Sequence, residues 1–297
     1  MDVFVTGATG FVGSAIVQEL IGAGHKVLGL ARSDKSAAAL AAAGAKVQRG
    51  SLEDLDSLKN GAAGADGVIH TAFIHDFSNY GPACQMDKRA IEALGVALTG
   101  TRRPLIVTSG TALLTPGRVA TEEDVRDAHA NPFPRVSEET AMALAERGVN
   151  ASVVRLPPSV HGDGDHGFVS RLIAIAREKG VSAYIGDGAN RWPAVHRLDA
   201  AHLYRLVLEN SDTGARYHAI GDEGVAFRDI AGVIGRKLNL PVAGKSGEDA
   251  SSHFGWIAPF AAIDCPASAV QTQKQLGWRP TQPGLIADLE NGRYFKN

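Results

Sequence analysis

Cysteine is nearly absent: Cys84 and Cys265 are the only two, and no Cys-x-x-Cys pair occurs. A disulfide framework and a thiolate zinc site are therefore excluded as organising features, and two free thiols point to a reducing, cytoplasmic compartment. Long apolar runs are missing as well. No charge-free stretch approaches the ~18 apolar residues a membrane span needs, and Met1-Asp-Val-Phe-Val lacks the basic start of a signal peptide. Nor does one sign of charge dominate, since 30 Lys and Arg stand against 32 Asp and Glu. No basic run is longer than a pair, as at Arg102–Arg103, which argues against nucleic acid or an anionic membrane as partner. Metal-ligand spacing is lacking too. Gly162-Asp-Gly-Asp-His166 has acidic residues but not the closing glutamate of a calcium loop, and no His-Glu-x-x-His occurs, so no metal is expected.

The 297 residues suffice for one large α/β domain or two modest ones. Short β-rich runs alternate with amphipathic or alanine-rich ones: Val3–Val5, Ser14–Ala23, Val27–Leu30, Ala37–Ala43, Val47, Val68–His70, Ala90–Leu98 and Leu105–Thr108. That order predicts a doubly wound parallel sheet, a Rossmann-type α/β fold with helices on both faces. Gly24, Gly44 and Gly148 each follow a helical run as C-caps. A strand over Ala151–Arg155 stops at Pro157–Pro158, which cannot continue a ladder. Beyond it, Asp199 is expected to cap a helix over Ala200–Glu209, and another helix is expected over Phe227–Leu238. The stretch from Pro241 onward reads as irregular. Residues 1–160, with 194–240 contributing, are expected to form the sheet domain; 161–193 and 241–297 are expected to form a smaller C-terminal subdomain.

Thr6-Gly-Ala-Thr-Gly-Phe-Val-Gly13 follows the first strand and opens a helix. Gly7 permits a tight turn, Gly10 admits a pyrophosphate to the backbone, and Gly13 lets helix and strand approach closely. Thr9, Phe11 and Val12 complete this turn, where an anion would rest on the free N–H groups of the helix start. A glycine-rich turn without ligand is the alternative. The second strand, Val27–Leu30, ends in Ala31-Arg32-Ser33 with no carboxylate to bind ribose hydroxyls or repel a 2′-phosphate. Arg32 can clamp such a phosphate, so NADP(H) is the expected cofactor, with Ser33 beside it.

In these motifs the chain resembles the extended short-chain dehydrogenase/reductases, the NAD-dependent epimerase/dehydratase family. Thr6-Gly-x-x-Gly-x-x-Gly13 is similar to its cofactor turn, Gly50-Ser-Leu-Glu-Asp54 to the segment flanking adenine, and Val68-Ile-His-Thr-Ala72 to its fourth-strand motif. Arg155-Leu-Pro-Pro-Ser-Val-His-Gly162 resembles its Arg-Pro-x-x-Val-Tyr-Gly, Val195-His-Arg-Leu-Asp-Ala200 its Val-His-Val-Asp-Asp-Val, and Leu276-Gly-Trp-Arg-Pro280 a recurrent Leu-Gly-Trp-x-Pro. The resemblance spans nearly the whole length. It implies further cofactor contacts at Ser51 and Leu52, at Thr71, Ala72 and Phe73, and at Pro157, and it implies dimerisation through two sheet-covering helices. The sequence itself leaves the oligomeric state open.

The resemblance also implies a Ser/Thr and Tyr-x-x-x-Lys active site, and here the chain departs. None of Tyr80, Tyr184, Tyr204, Tyr217 or Tyr294 is followed by lysine four residues on. Where the motif belongs stands Asn131-Pro-Phe-Pro-Arg-Val-Ser-Glu-Glu139, placing Pro134 or Arg135 at the tyrosine and Glu138 or Glu139 at the lysine. A glutamate there would oppose phenol ionisation but could accept bonds from ribose hydroxyls. On the preceding strand Gly110 falls at the usual catalytic hydroxyl, flanked by Ser109 and Thr111. This is the pattern of atypical members of the superfamily.

Candidate replacements are His75 and His161 as proton donors, and Arg135 as an anion or oxyanion site. Ser109 and Thr111 would orient the reacting oxygen. The expected function is an NADP(H)-dependent oxidoreductase reducing a carbonyl, imine or activated alkene of a small molecule. A non-catalytic NADP-binding redox sensor, and an epimerase or dehydratase with tightly held nicotinamide, are the alternatives.

Overall fold

A computed structural model of the chain describes residues 1–76, 79–127, 129, 133–210 and 212–295. Its first half alternates as the pattern requires. β1 (Asp2–Thr6) leads into α1 (Phe11–Gly22), β2 (Lys26–Ala31) into α2 (Asp34–Ala42), and β3 (Lys46–Arg49) into α3 (Leu55–Ala63). β4 (Gly67–His70), α4 (Tyr80–Leu98), β5 (Leu105–Gly110), α5 (Ser137–Glu146) and β6 (Ala151–Leu156) follow. Next come β7 (Ser159–His161), α6 (Phe168–Lys179), β8 (Ser182–Ile185), β9 (Arg191–His196), α7 (Arg197–Asn210), β10 (Arg216–His218) and β11 (Asp222–Ala226). The chain ends in α8 (Phe227–Leu238), β12 (Val242–Lys245), α9 (Gly247–Phe254), α10 (Ala258–Ala261), α11 (Val270–Leu276) and α12 (Leu285–Asn291).

Seven strands form one sheet in the order β10-β6-β5-β4-β1-β2-β3, every pairing parallel. Because side chains alternate across a strand, β1 sends Val3 and Val5 to one face and Phe4 to the other. The first face buries Ile16 and Leu20 of α1 with Leu203 and Val207 of α7. The opposite face buries Leu58 of α3, Ile91 and Leu94 of α4, and Leu144 of α5. Gly24, Gly44 and Gly148 hold φ of +86°, +83° and +84°, as reversals after α1, α2 and α5 require.

The smaller lobe carries β11-β9-β7 as a three-stranded sheet and β12-β8 as a parallel pair. Its core gathers Trp192, Phe227, Ile230, Leu172, Phe254 and Leu285. Segment 194–240, expected with the sheet domain, divides: α7 and β10 join the large sheet, whereas α8 packs into the smaller lobe with Phe227 edge-on to Trp192 at 4.9 Å. The tail also departs from the expected boundary. Ala267, Ala269 and Trp278 return to the first core, and the Trp278 indole donates to the Asp199 carbonyl at 3.1 Å. Asp199 is not an N-cap, since α7 already begins at Arg197; its carboxylate instead accepts from the Thr281 and Gln282 amides, each at 3.0 Å. The stretch after Pro241, expected to be irregular, contains β12 and four short helices.

Candidate active site

An all-parallel sheet brings the carboxyl ends of its strands to one edge, and strand order reverses between β1 and β4, where such folds open a crevice. The glycine turn lies at that point. Gly7 has φ +69°, and a Cβ there would stand 2.6 Å from the Ala72 amide nitrogen, just past β4. A Cβ on Gly13 would stand 2.0 Å from the Gly7 carbonyl oxygen. Gly10 is the extended N-cap of α1 and no side chain caps the helix; Thr9 and Gly10 are exposed. A helix start whose N–H groups no side chain caps fits a pyrophosphate.

Arg32 extends into solvent from the end of β2 and makes no hydrogen bond or ion pair with the described residues. Ser33 is occupied otherwise: its hydroxyl caps α2, accepting from the Ser36 amide at 3.2 Å. One carboxylate the strand-end reading passed over, Asp34, opens α2, and Arg49 at the end of β3 holds it. A second guanidinium thus offsets the one acid next to Arg32. Ser51 follows β3 partly exposed, and Leu52 is buried beneath it.

Around the other end of the crevice lie Thr71, Ala72 and Phe73 after β4, Ser109 and Thr111 at the end of β5, and Pro157 after β6. The Ser109 and Thr111 hydroxyls are buried yet have no hydrogen-bond partner among the described residues. Such groups cost free energy unless a ligand or water satisfies them. Arg135 reaches the same strand end, donating from Nη2 to the carbonyl of Thr108, the residue before Ser109, at 3.0 Å. Its guanidinium carbon sits 4.2 Å over the Phe73 ring.

A buried chain of hydrogen bonds positions Arg135. Thr6 donates to His70 Nδ1 at 2.8 Å, and His70 Nε2–H donates to Asp87 Oδ1 at 3.1 Å. The Ser137 hydroxyl donates to Asp87 Oδ2 at 2.5 Å and accepts from Arg135 Nε at 2.8 Å. Burial works to raise the Asp87 pKa, but the bonds and charges of His70, Arg135 and Ser137 outweigh it and hold the carboxyl below its ordinary range. None of His70, Asp87 and Ser137 was a sequence candidate. Ser137 opens α5, but Asp87 lies inside α4, and no local pattern marks it.

Neither glutamate stands in for the lysine. Glu138 is buried under α5 in a fork with Arg155 and a further bond to Arg216 at 2.8 Å, while Glu139 pairs with Arg126. Buried Arg155 needed a carboxylate, and the first turn of α5 supplies it, so Glu138 points away from the cofactor edge.

The histidines separate. His75 is in the loop after β4; burial, then the positive charge of Arg135 and of His166, depresses its pKa. His166 meets the Phe11 ring edge-on at 5.7 Å, and Arg197 covers that ring at 4.6 Å while bonding Ser14 at 2.9 Å, so residues 163–166 fold over the start of α1. His161 is wholly buried in the smaller lobe, paired with Asp288 at 2.8 Å and edge-on to His196. Tyr80, which lacks the lysine of the motif and was not a site candidate, stands beside Phe73 with ring centroids 5.8 Å apart. Burial pushes its phenol up to about 12 despite the charge of Arg135. Part of the loop containing the motif position, residues 130–132, lies outside the described residues. Among the described residues no cluster of ligating side chains could hold a metal ion, and no helix is long and apolar enough to cross a membrane.

A doubly wound sheet with this turn at its switch point defines a dinucleotide-binding α/β protein. The chain belongs to the NAD dependent epimerase/dehydratase family, whose model matches residues 3–221. An uncharacterized protein of Schizosaccharomyces pombe is 53% identical over 99% of this chain and 100% of its own length. A sterol-4-alpha-carboxylate 3-dehydrogenase, decarboxylating, of Dictyostelium discoideum is 28% identical over 76% of this chain and 73% of its own. Among solved structures, DesIV, a dTDP-glucose 4,6-dehydratase from Streptomyces venezuelae with NAD bound, superposes with TM-score 0.78 at 18% identity, over 100% of this chain and 97% of that one. At that identity the likeness is one of fold.

Proposed function

We propose that the protein is an NADP(H)-dependent oxidoreductase that reduces a carbonyl, imine or activated alkene of a small molecule. The observation that carries this reading is the pair of buried hydroxyls of Ser109 and Thr111, without a hydrogen-bond partner among the described residues, at the end of β5 where Arg135 donates to the Thr108 carbonyl. The dehydrogenase named among its relatives supports redox chemistry, and Arg32 with the Arg49–Asp34 pair supports a 2′-phosphate over free ribose hydroxyls. The two cysteines are buried and unpaired, which supports a reducing, cytoplasmic setting.

A bound nicotinamide would supply the hydride. The chain's own residues would do the rest. Ser109 and Thr111 would hold the substrate oxygen by hydrogen bonds that otherwise go unmade. Arg135, fixed by Ser137 and the Thr108 carbonyl, would stabilise negative charge growing on that oxygen. Tyr80, protonated throughout the neutral range, would be the proton source, whereas the depressed pKa of His75 keeps its imidazole neutral and disfavours it as the acid. His161, tied to Asp288 in the smaller lobe, is better read as holding that lobe together.

The test is oxidation of NADPH by purified protein across a panel of ketones, aldehydes and imines, with Arg135→Ala in parallel. Turnover that Arg135→Ala reduces at least about a hundredfold, the size of a lost oxyanion donor, supports the reading. Tight NADPH binding with no oxidation by any member of the panel would favour a sensor instead.

A further inference from the structure

Six half-exposed or exposed aromatic rings run as one strip from Arg135 outward. The guanidinium lies over Phe73, and Phe73 meets Tyr80 at 5.8 Å. Tyr80 meets Phe133 edge-on at 6.5 Å, and Phe133 stacks on Phe260 of the smaller lobe at 5.2 Å with planes 15° apart. Phe260 then lies 5.0 Å from Phe168 and 6.4 Å from Trp256, which is 45% exposed at the far end. The core rings of that lobe differ: Trp192, Phe227 and Phe254 are wholly or almost wholly buried. A strip of partly open rings that crosses from one lobe to the other is suited to an apolar ligand lying between them.

Polarity along the strip is concentrated at one end. Arg135 spends Nε on Ser137 and Nη2 on Thr108, leaving Nη1 without a partner among the described residues. The unsatisfied Ser109 and Thr111 hydroxyls lie at the same strand end. A second guanidinium, Arg126, is committed to the carbonyls of Phe133 and Arg135 and to Glu139, and is not available to a diphosphate.

We propose that the substrate is an elongated apolar ketone whose body lies along Phe73, Tyr80, Phe133, Phe260, Phe168 and Trp256 and whose oxygen meets Arg135, not a sugar nucleotide. The proposal rests on the oxidoreductase reading and names the substrate class of that same site. A fused-ring body and an acyl chain share this chemistry, and the experiment separates them.

The experiment is calorimetric titration of the full-length protein, with and without NADPH, using 2-nonanone, 2-tetralone and UDP-glucose. Trp256 fluorescence is a second readout, since Trp192 and Trp278 are wholly buried. At least one ketone should bind and quench Trp256, with UDP-glucose silent. Phe260→Ala and Trp256→Ala should each weaken ketone binding roughly tenfold while leaving NADPH affinity unchanged. Trp256→Ala alters an exposed ring and keeps the test decisive if Phe260→Ala does not fold. Binding of UDP-glucose in preference to both ketones, or ketone affinity indifferent to both variants, overturns the proposal. If NADPH is oxidised by short polar aldehydes while neither ketone binds, the strip fails and the oxidoreductase reading stands. If the ketones bind through the strip but NADPH is never oxidised by any carbonyl, the strip stands as a binding wall and the oxidoreductase reading fails.

Discussion

The Ser137 hydroxyl donates to Asp87 at 2.5 Å, tying the first residue of α5 to the buried face of α4. Through Ser137 this one bond orients Arg135, and through His70 it reaches Thr6, the last residue of the strand before the glycine turn. Arg135 is therefore a cation whose support comes from two helices and two strands.

Breaking that support should misplace Arg135 without touching the cofactor turn. Asp87→Asn leaves a buried donor and acceptor mismatched, at a cost of about 1–3 kcal/mol in stability. Carbonyl reduction should fall at least about tenfold in kcat for a misaligned oxyanion donor. NADPH affinity from fluorescence titration should be unchanged; a parallel fall in that affinity would mean that the chain serves the turn and not Arg135.

Arg32 is solvent-exposed and makes no hydrogen bond or ion pair among the described residues, so its removal should not unfold the protein. Arg32→Ala should lose about 1.5–3 kcal/mol of NADPH affinity, the worth of hydrogen bonds to a charged group, with NADH affinity unaltered. Calorimetric titration of both cofactors decides it. Equal loss for both would remove the 2′-phosphate from the argument.

Gly13→Ala places a methyl 2.0 Å from the Gly7 carbonyl, a backbone atom that cannot swing aside. The turn must open or the helix must shift, at a cost of about 1–3 kcal/mol for overpacking. The expected result is a lowered Tm together with loss of NADPH binding. An unchanged Tm with wild-type affinity would contradict the close helix–strand approach.

His218 is buried between Arg155, whose Nη1 donates to His218 Nε2 at 3.0 Å, and the Ser268 carbonyl, to which Nδ1–H donates at 2.7 Å. Burial, then the Arg155 charge, lowers its pKa to about 4, so the folded state keeps it neutral. In the unfolded chain the imidazole protonates near its ordinary 6.5. Between those values the unfolded state binds more protons, and stability must fall as pH drops from 6.5 towards 4. The loss is on the order of 3 kcal/mol. Urea unfolding across this range should show a steeper decline for wild type than for His218→Asn; identical slopes would mean the histidine protonates without unfolding.

Much of this architecture was legible because it depends on local periodicity. Val3–Val5 and its successors alternate with helical runs, and that pattern admits few folds other than a doubly wound sheet. Gly7, Gly10 and Gly13 were legible for the same reason, since a backbone that must turn sharply and pack closely tolerates little else. Harder to read were elements whose partners lie far along the chain. α4 starts at Tyr80, ten residues before its apolar stretch, and α8 chooses the smaller lobe because Trp192 awaits it there. Glu138 illustrates the difficulty most directly. Sequence position put it at the cofactor, but Arg155, 17 residues on and wholly buried, draws it the other way.

Composition and spacing thus determined the class of fold, the glycine turn and the absence of a Tyr-x-x-x-Lys motif, because each is a property of neighbouring residues. Which side chains surround Arg135 was decided only by tertiary packing. Thr6, His70, Asp87 and the Arg135–Ser137 pair come from four separate segments, and a buried carboxylate takes its partners from whatever surrounds it in space. The aromatic strip arises the same way: Phe133 and Phe260 are distant in sequence and stack only because the smaller lobe folds back over the edge of the sheet.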